Sequence, residues 1–239
     1  MKIAILLPGL IRNINSNCVN TYNNIFENHD TDVYSSIWDI RGNIIENKNY
    51  DSEDSYINES KIDENLIKKV KELYKIDKIK IESFEEWFDL NNHFINTYCE
   101  KHKYASKQMT KNGIFSQYYK IIDSYNMIKN PNDYDLIVRW RFDINTKYLD
   151  LEKIVKDDLT LFTGSITSEY PTEFVYMGTP SFWKTFSLIY DYIKNMDEFN
   201  PKNLNKKHSI YTPELLVKRF LDSHSLKYFN LNINPEVVR

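Results

Sequence analysis

Five apolar residues in succession, Ile3-Ala4-Ile5-Leu6-Leu7, stop abruptly at Pro8-Gly9, and no other stretch constrains the fold as strongly. A strand with one wet face alternates apolar and polar side chains, whereas an unbroken apolar run ended by Pro-Gly fits a strand covered on both faces. Strands of that kind belong to parallel sheets sandwiched between helices. The run gives way at once to Arg12 and several asparagines, unlike a secretory leader. No stretch approaches the roughly 18 to 20 apolar residues that cross a bilayer, so no transmembrane segment and a cytoplasmic location are expected.

The remaining punctuation supports the same architecture. Val19 to Phe26 predicts a helix, Thr31 to Trp38 a second strand, Leu66 to Tyr74 a helix, Lys78 to Ile81 a short strand and Phe84 to Tyr98 a helix. The stripe Ile114, Tyr118, Ile121, Ile122, Tyr125 and Ile128 predicts a core-facing helix that stops at Asn130-Pro131. Leu159 to Gly164, Phe174 to Met177 and Lys227 to Ile233 read as strands. Thr179-Pro180 and Thr212-Pro213-Glu214 each suit a helix start, the first ahead of the stripe Phe182, Phe186, Ile189, Tyr190 and Ile193. The segment from about 41 to 61 is polar and weakly periodic, a surface excursion on what is otherwise one domain spanning 1–239. The expected fold class is therefore α/β, a mostly parallel central sheet flanked by helices.

Composition narrows the function. With 41% hydrophobic residues, 18 Tyr and 13 Phe, the chain can bury a large core, and the tyrosines serve packing or sugar stacking equally well. A net charge of −3 provides no general attraction for polyanions, so nucleic acid is not the expected partner. Cys18 and Cys99 lack metal-site spacing and are expected as free thiols. The sequence contains neither GxGxxG nor GxxxxGK[ST], which argues against dinucleotide oxidoreductases and P-loop phosphotransferases; HExxH and GxSxG are missing too.

Tyr134 to Asn145 is the most informative stretch. Leu136, Val138, Trp140, Phe142 and Ile144 fall on one side of a predicted strand, while Arg139, Arg141, Asp143 and Asn145 emerge on the other at its carboxyl end. Burying such a set without a ligand is costly. Asp143 and Asn145 have the spacing to offer oxygens to one divalent cation, Mn2+ or Mg2+; Arg139 and Arg141 either neutralise a diphosphate directly or hold the aspartate in place. The competing interpretation is a structural Arg-Asp network. Doubly wound sheets bind ligands beyond the carboxyl ends of their strands, so Pro8, Gly9, Leu10 and Arg12 are candidate contacts to phosphate or base.

The opening segment through Arg12, Asp32-Val33-Tyr34-Ser35-Ser36-Ile37-Trp38, Gly113-Ile114-Phe115-Ser116-Gln117-Tyr118 and Tyr134 to Ile144 occur in this order, followed by Val175 to Pro180 and Thr212 to Leu216. Together the series resembles the small GT-A-like glycosyltransferases of bacterial surface-polysaccharide clusters and large DNA viruses. The resemblance implies a GT-A-like fold, a nucleoside-diphosphate-sugar donor, a glycan or other hydroxyl acceptor, and an Asp-x-Asp-like pair at Asp143-Ile144-Asn145. Asn145 is a weaker ligand than a carboxylate, which makes the cation dispensable if the arginines stabilise the leaving group. Gln117 is placed to hydrogen-bond base or ribose, or lies on the surface. Glu214 is the expected general base, or simply a favourable helix N-terminal carboxylate. Asp39 is an alternative carboxylate near the donor, and the backbone at Gly178 is a further candidate sugar contact. A non-catalytic nucleotide- or carbohydrate-binding module on the same fold is the alternative expectation.

Overall fold

The structure, a computed structural model, describes residues 1–11, 14–41, 61–101, 114–146, 149–154, 158–164, 171, 174–196, 213–231 and 236–237. Arg12, Gly113, Thr212 and all but the two ends of the expected excursion lie outside these residues.

The strands are β1 (Lys2–Leu6), β2 (Gly9–Ile11), β3 (Asp30–Arg41), β4 (Lys78–Glu82), β5 (Leu136–Arg139), β6 (Ile144–Asn145), β7 (Thr160–Thr163), β8 (Tyr176–Gly178), β9 (Lys227–Asn230) and β10 (Glu236–Val237). The helices are α1 (Ser16–Phe26), α2 (Glu64–Leu73), α3 (Phe84–Lys101), α4 (Ser116–Asn126), α5 (Pro180–Phe186), α6 (Ile189–Asn195) and α7 (Pro213–Ser223). Eight strands form the central sheet, in the order β4-β3-β1-β5-β8-β7-β9, with β2 following β1 along the same side of β3. β6 and β10 form a separate antiparallel pair.

From β4 to β5 every neighbour is parallel, as an apolar first strand demands. β8 then runs antiparallel to both β5 and β7, and β9 returns parallel to β7. The protein is thus an α/β structure around a mixed, mostly parallel sheet. The reversal at β8 escapes the sequence pattern, because period-2 alternation is blind to strand direction.

β1 and β5 divide their side chains between two cores. Ile3, Ile5, Leu136 and Val138 enter the core under α1 and α2; Ala4, Leu6 and Ile137 enter the larger one beneath α3 to α7. That larger core is stapled by ring-on-ring contacts: Trp38 stacks on Tyr119 at 5.8 Å and Tyr125 on Trp183 at 5.8 Å. Trp183 also donates its Nε1 hydrogen to the Ile137 carbonyl at 2.8 Å, tying α5 to β5. Many of the tyrosines counted above, Tyr22, Tyr74, Tyr118 and Tyr176 among them, are packing residues.

Local chemistry sets several boundaries. Thr179 caps α5 by accepting from the Phe182 amide at 3.2 Å, ahead of Pro180, as predicted. The single stripe expected from Phe182 to Ile193 is split at Ser187-Leu188 into α5 and α6. The long strand expected over Tyr134 to Asn145 is also broken, with β5 ending at Arg139 and a turn at Phe142-Asp143 preceding β6. β1, its partner, ends at Leu6, whose carbonyl takes the last ladder bond, from the Trp140 amide at 2.9 Å. Side-chain alternation survives the break: Trp140, Phe142 and Ile144 all stay in the α1 core. Lys78 and Lys80 punctuate the exposed edge strand β4, which discourages edge-to-edge pairing. No helix among the described residues is long and apolar enough to cross a membrane.

Candidate functional site

The chain passes from β1 to β3 on one side and later to β5 on the other, so the strand order reverses at β1. In doubly wound sheets the crevice beyond the carboxyl ends of the two strands flanking such a reversal is where ligands bind. Here that crevice is bounded by Leu7-Pro8-Gly9 after β1 and by Trp140 to Asp143 after β5.

Leu7 keeps the ladder to β3 through its amide, which donates to the Tyr34 carbonyl at 2.9 Å. Pro8 is buried, and Gly9 follows with φ +99°, a left-handed conformation that only glycine adopts without strain. A Cβ built on Gly9 meets nothing within 4 Å among the described residues, so the backbone borders open space there. Leu10 is half-buried against the larger core. Asp39 sits beside this segment on β3, but its Oδ1 accepts from the Phe84 amide at 3.0 Å and Oδ2 lies 3.6 Å from Lys61 Nζ. Its carboxylate fastens the start of α3 to the end of β3.

Across the crevice, Arg139 is 3% exposed and holds its guanidinium 5.4 Å from the ring centre of Tyr176, its partner on β8. Arg141 grips Asp143 with a parallel pair of hydrogen bonds, Nε to Oδ1 and Nη2 to Oδ2, each 2.8 Å. Both side chains are largely buried, at 13% and 5% exposure. Below this pair the turn is anchored by Tyr74, whose hydroxyl donates to the Phe142 carbonyl at 2.8 Å. Burial raises the Tyr74 hydroxyl, with Cys18 and Asp143 adding to the effect. Cys18 is likewise pushed up to about 11, by burial first and the Asp143 charge second, which makes it an inert thiol. The side chain of Cys99 lies outside the described residues.

The structure does not bring the expected cation pair, Asp143 and Asn145, to one point. Both oxygens of Asp143 accept from Arg141, and the Asn145 Oδ1 turns toward α1 to accept from Thr21 Oγ1 at 2.7 Å. The two residues serve different neighbours rather than converging on one point, and no cluster of three or more His, Cys, Asp or Glu suited to a metal occurs among the described residues. The physical reason is the break after β5, which takes Asp143 and Asn145 off a common strand.

Glu214 lies in the first turn of α7, where the helix dipole favours its charge. A chain of aromatic contacts links this turn to Arg139: the Tyr118 hydroxyl donates to the Pro213 carbonyl at 3.1 Å and lies 3.4 Å from the Tyr176 hydroxyl. Tyr118 and Tyr176 were legible in sequence only as core residues, and their linking role needed the sheet order. Gln117 stands beside Tyr118 at the start of α4 with its Nε2 buried and without a hydrogen-bond partner among the described residues. Gly178 lies elsewhere. Because β8 runs antiparallel, Gly178 pairs with Ile137, further from the crevice than the Tyr176–Arg139 pair. A Cβ there would approach Phe182 Cδ1 to 2.5 Å, so the glycine lets α5 pack on the sheet instead of contacting a sugar.

Another polar cluster lies between α4 and the β3–β4 edge. Fully buried Lys120 donates to Glu82 Oε2 at 2.6 Å and to Ser36 Oγ at 3.1 Å, and sits 4.0 Å from the Trp38 ring centre. Ser36 in turn donates to Asp123, which pairs with Lys80 at 2.8 Å. Burial opposes ionisation of Glu82, yet the hydrogen bonds and charges of Lys120 and Lys80 prevail and hold its carboxyl at about 2. Two cations and two carboxylates close on each other, which marks a clamp for α4 rather than a reaction centre.

Comparison with known proteins finds no matching family model and no matching curated protein.

Proposed function

We propose that this chain is a glycosyltransferase that moves a sugar from a nucleoside-diphosphate-sugar donor to a glycan or other hydroxyl acceptor, with arginine rather than a metal ion stabilising the departing diphosphate. The observation that carries this reading is that Arg139 and Arg141, at and just past the carboxyl end of β5, lie at the same end of the sheet as the open, left-handed Gly9 that follows β1. A crevice with exposed backbone on one side and guanidinium groups on the other suits a diphosphate. The ordered resemblance of the sequence segments to GT-A-like transferases supports the same reading. An antiparallel β8 next to β5 also departs from the all-parallel dinucleotide-binding order.

In this mechanism Asp143 takes two of the five N–H donors of Arg141 and so fixes the plane of the guanidinium. A pre-oriented cation needs no rearrangement as negative charge develops on the leaving oxygen. Glu214, at the start of α7, would accept the proton of the attacking hydroxyl. Sugar transfer then breaks the bond from the anomeric carbon to the diphosphate and forms one to the acceptor oxygen.

Titration with nucleoside diphosphates, with and without chelator, tests the binding half. Arg141→Ala should weaken binding by about tenfold or more, as the loss of charge-assisted hydrogen bonds predicts, and chelation should leave it unchanged. A native chain that binds no nucleoside diphosphate at all would overturn the proposal. The engagement of Asp143 by Arg141 and of Asn145 by Thr21 favours one rival, a binding module without turnover. Sensitive donor-hydrolysis measurements decide between them: tight binding with no turnover on any acceptor supports the module.

A further inference from the structure

Gln117 is the second residue of α4, and its side-chain Nε2 is buried with no acceptor among the described residues. Ile121 and Ser124 lie one and two turns further along the same helical stripe. Both face the sheet: Ile121 is fully buried in the larger core, and Ser124 Oγ accepts from the Ser36 amide at 2.9 Å. The stripe's first turn therefore points toward the carboxyl end of β1, and α4 packs against β1, β2 and β3. Gln117 thus lies at the end of α4 nearest the crevice that follows β1 and β5.

A carboxamide nitrogen withdrawn from water without an acceptor gives the free protein nothing and costs it the desolvation of two N–H bonds. The neighbouring polar side chains on α4 are satisfied: Lys120 by Glu82 and Ser36, and Asp123 by Lys80 and Ser36. Gln117 is the exception on this helix, and the exception lies at the ligand-binding end of the sheet. Its distribution of labour with the arginines follows from chemistry. Guanidinium groups complement phosphate oxygens, whereas a neutral amide donor complements a neutral acceptor such as a base carbonyl, a ring nitrogen or a ribose oxygen.

We infer that Gln117 forms a nucleoside subsite, donating from Nε2 to an acceptor atom on the base or ribose, separate from the diphosphate subsite at Arg141. This inference rests on the nucleotide-sugar reading above, and it divides the crevice into a neutral half and a cationic half.

The test compares inorganic pyrophosphate with UDP, GDP, CDP and ADP on the full chain, native and Gln117→Met, by calorimetry. The nearly isosteric methionine removes the donor while keeping the packing. For the best-bound nucleotide, affinity should fall by about tenfold, the worth of one well-made hydrogen bond, while pyrophosphate affinity stays within about twofold. Arg141→Ala should weaken both ligands. The ligand-free Gln117→Met protein should melt no lower than the native one, because the lost donor had no partner. Unchanged nucleotide affinity in Gln117→Met, or equal losses for nucleotide and pyrophosphate, would overturn the subsite and leave the arginine reading standing. A native chain that binds pyrophosphate and all four nucleotides equally would do the same. If none of these ligands binds, both readings fall together.

Discussion

Arg141 holds Asp143 by both carboxylate oxygens, two parallel hydrogen bonds of 2.8 Å closing over a single intervening residue. A fork-to-fork clasp between residues so near in sequence requires the chain to turn, and the turn at Phe142-Asp143 is where the expected strand gives way. The same contact occupies both carboxylate oxygens and fixes the guanidinium plane.

Removing the carboxylate alone should be costly. Asp143→Ala leaves a largely buried guanidinium short of its counter-charge, and a loss of about 3 to 5 kcal/mol is expected in chemical denaturation. Replacing both partners, Arg141→Met with Asp143→Leu, should recover most of it, because a buried ion pair and a well-packed apolar pair are close in energy. Equal losses in the single and double variants would mean that the clasp is not what holds the turn.

The Lys120–Glu82 pair should respond asymmetrically. Lys120 is fully buried, whereas the Glu82 side chain is 27% exposed and keeps Lys80 at 3.1 Å as a second partner. Glu82→Gln strands a buried ammonium and should cost about 3 kcal/mol or more; Lys120→Met leaves a paired carboxylate and an apolar stem, and should cost about 1 kcal/mol or less. Urea unfolding of the two variants side by side gives the comparison.

Acid should expose the same clamp. The Glu82 carboxyl lies at about 2 in the folded chain against an ordinary value of 4.5, so the folded state binds its proton less readily than the unfolded one. Its contribution to stability is complete above pH 4.5 and is lost as pH falls through about 2. Between those limits the Glu82→Gln protein should lose stability less steeply than the native one, by up to one proton's worth of slope.

Two glycines should fail for different reasons. Gly178→Ala drives a methyl group to 2.5 Å from the Phe182 ring and should cost about 1 to 3 kcal/mol, with partial rescue by Phe182→Leu. Gly9→Ala meets open space, so its cost, about 1 to 2 kcal/mol, comes from backbone strain at φ +99° and no neighbouring substitution should relieve it. Thermal melts of the two single variants and the Gly178→Ala/Phe182→Leu pair separate strain from overpacking.

Much of this was legible in the residues themselves. The apolar run of β1, the division of Leu136 to Ile144 between two faces, and the Thr179-Pro180 helix start all carry their cause locally, in side-chain period or capping chemistry. What stayed hidden depended on distant partners. The early end of β5 is set by where β1 stops, the position of Gly178 by the direction of β8, and the fate of Asn145 by a threonine on α1. The clamp around Lys120 was unreadable because its charges come from separate elements and, on α4, look like an ordinary helix surface. Gln117 offers an amide donor in any sequence reading, but its missing acceptor is a property of the packed molecule.

β3 extends over 12 residues while β1 covers only five, and the surplus leaves a step in the sheet where β2 continues alongside β3 and β5 does not. A step has two unlike walls. One is main chain, whose hydrogen-bonding groups stay the same whatever side chains it carries; the other is made of replaceable side chains from the β5 turn and the first turn of α4. Substitutions in the second wall would remodel the shape and charge of the step while the first stayed as it is.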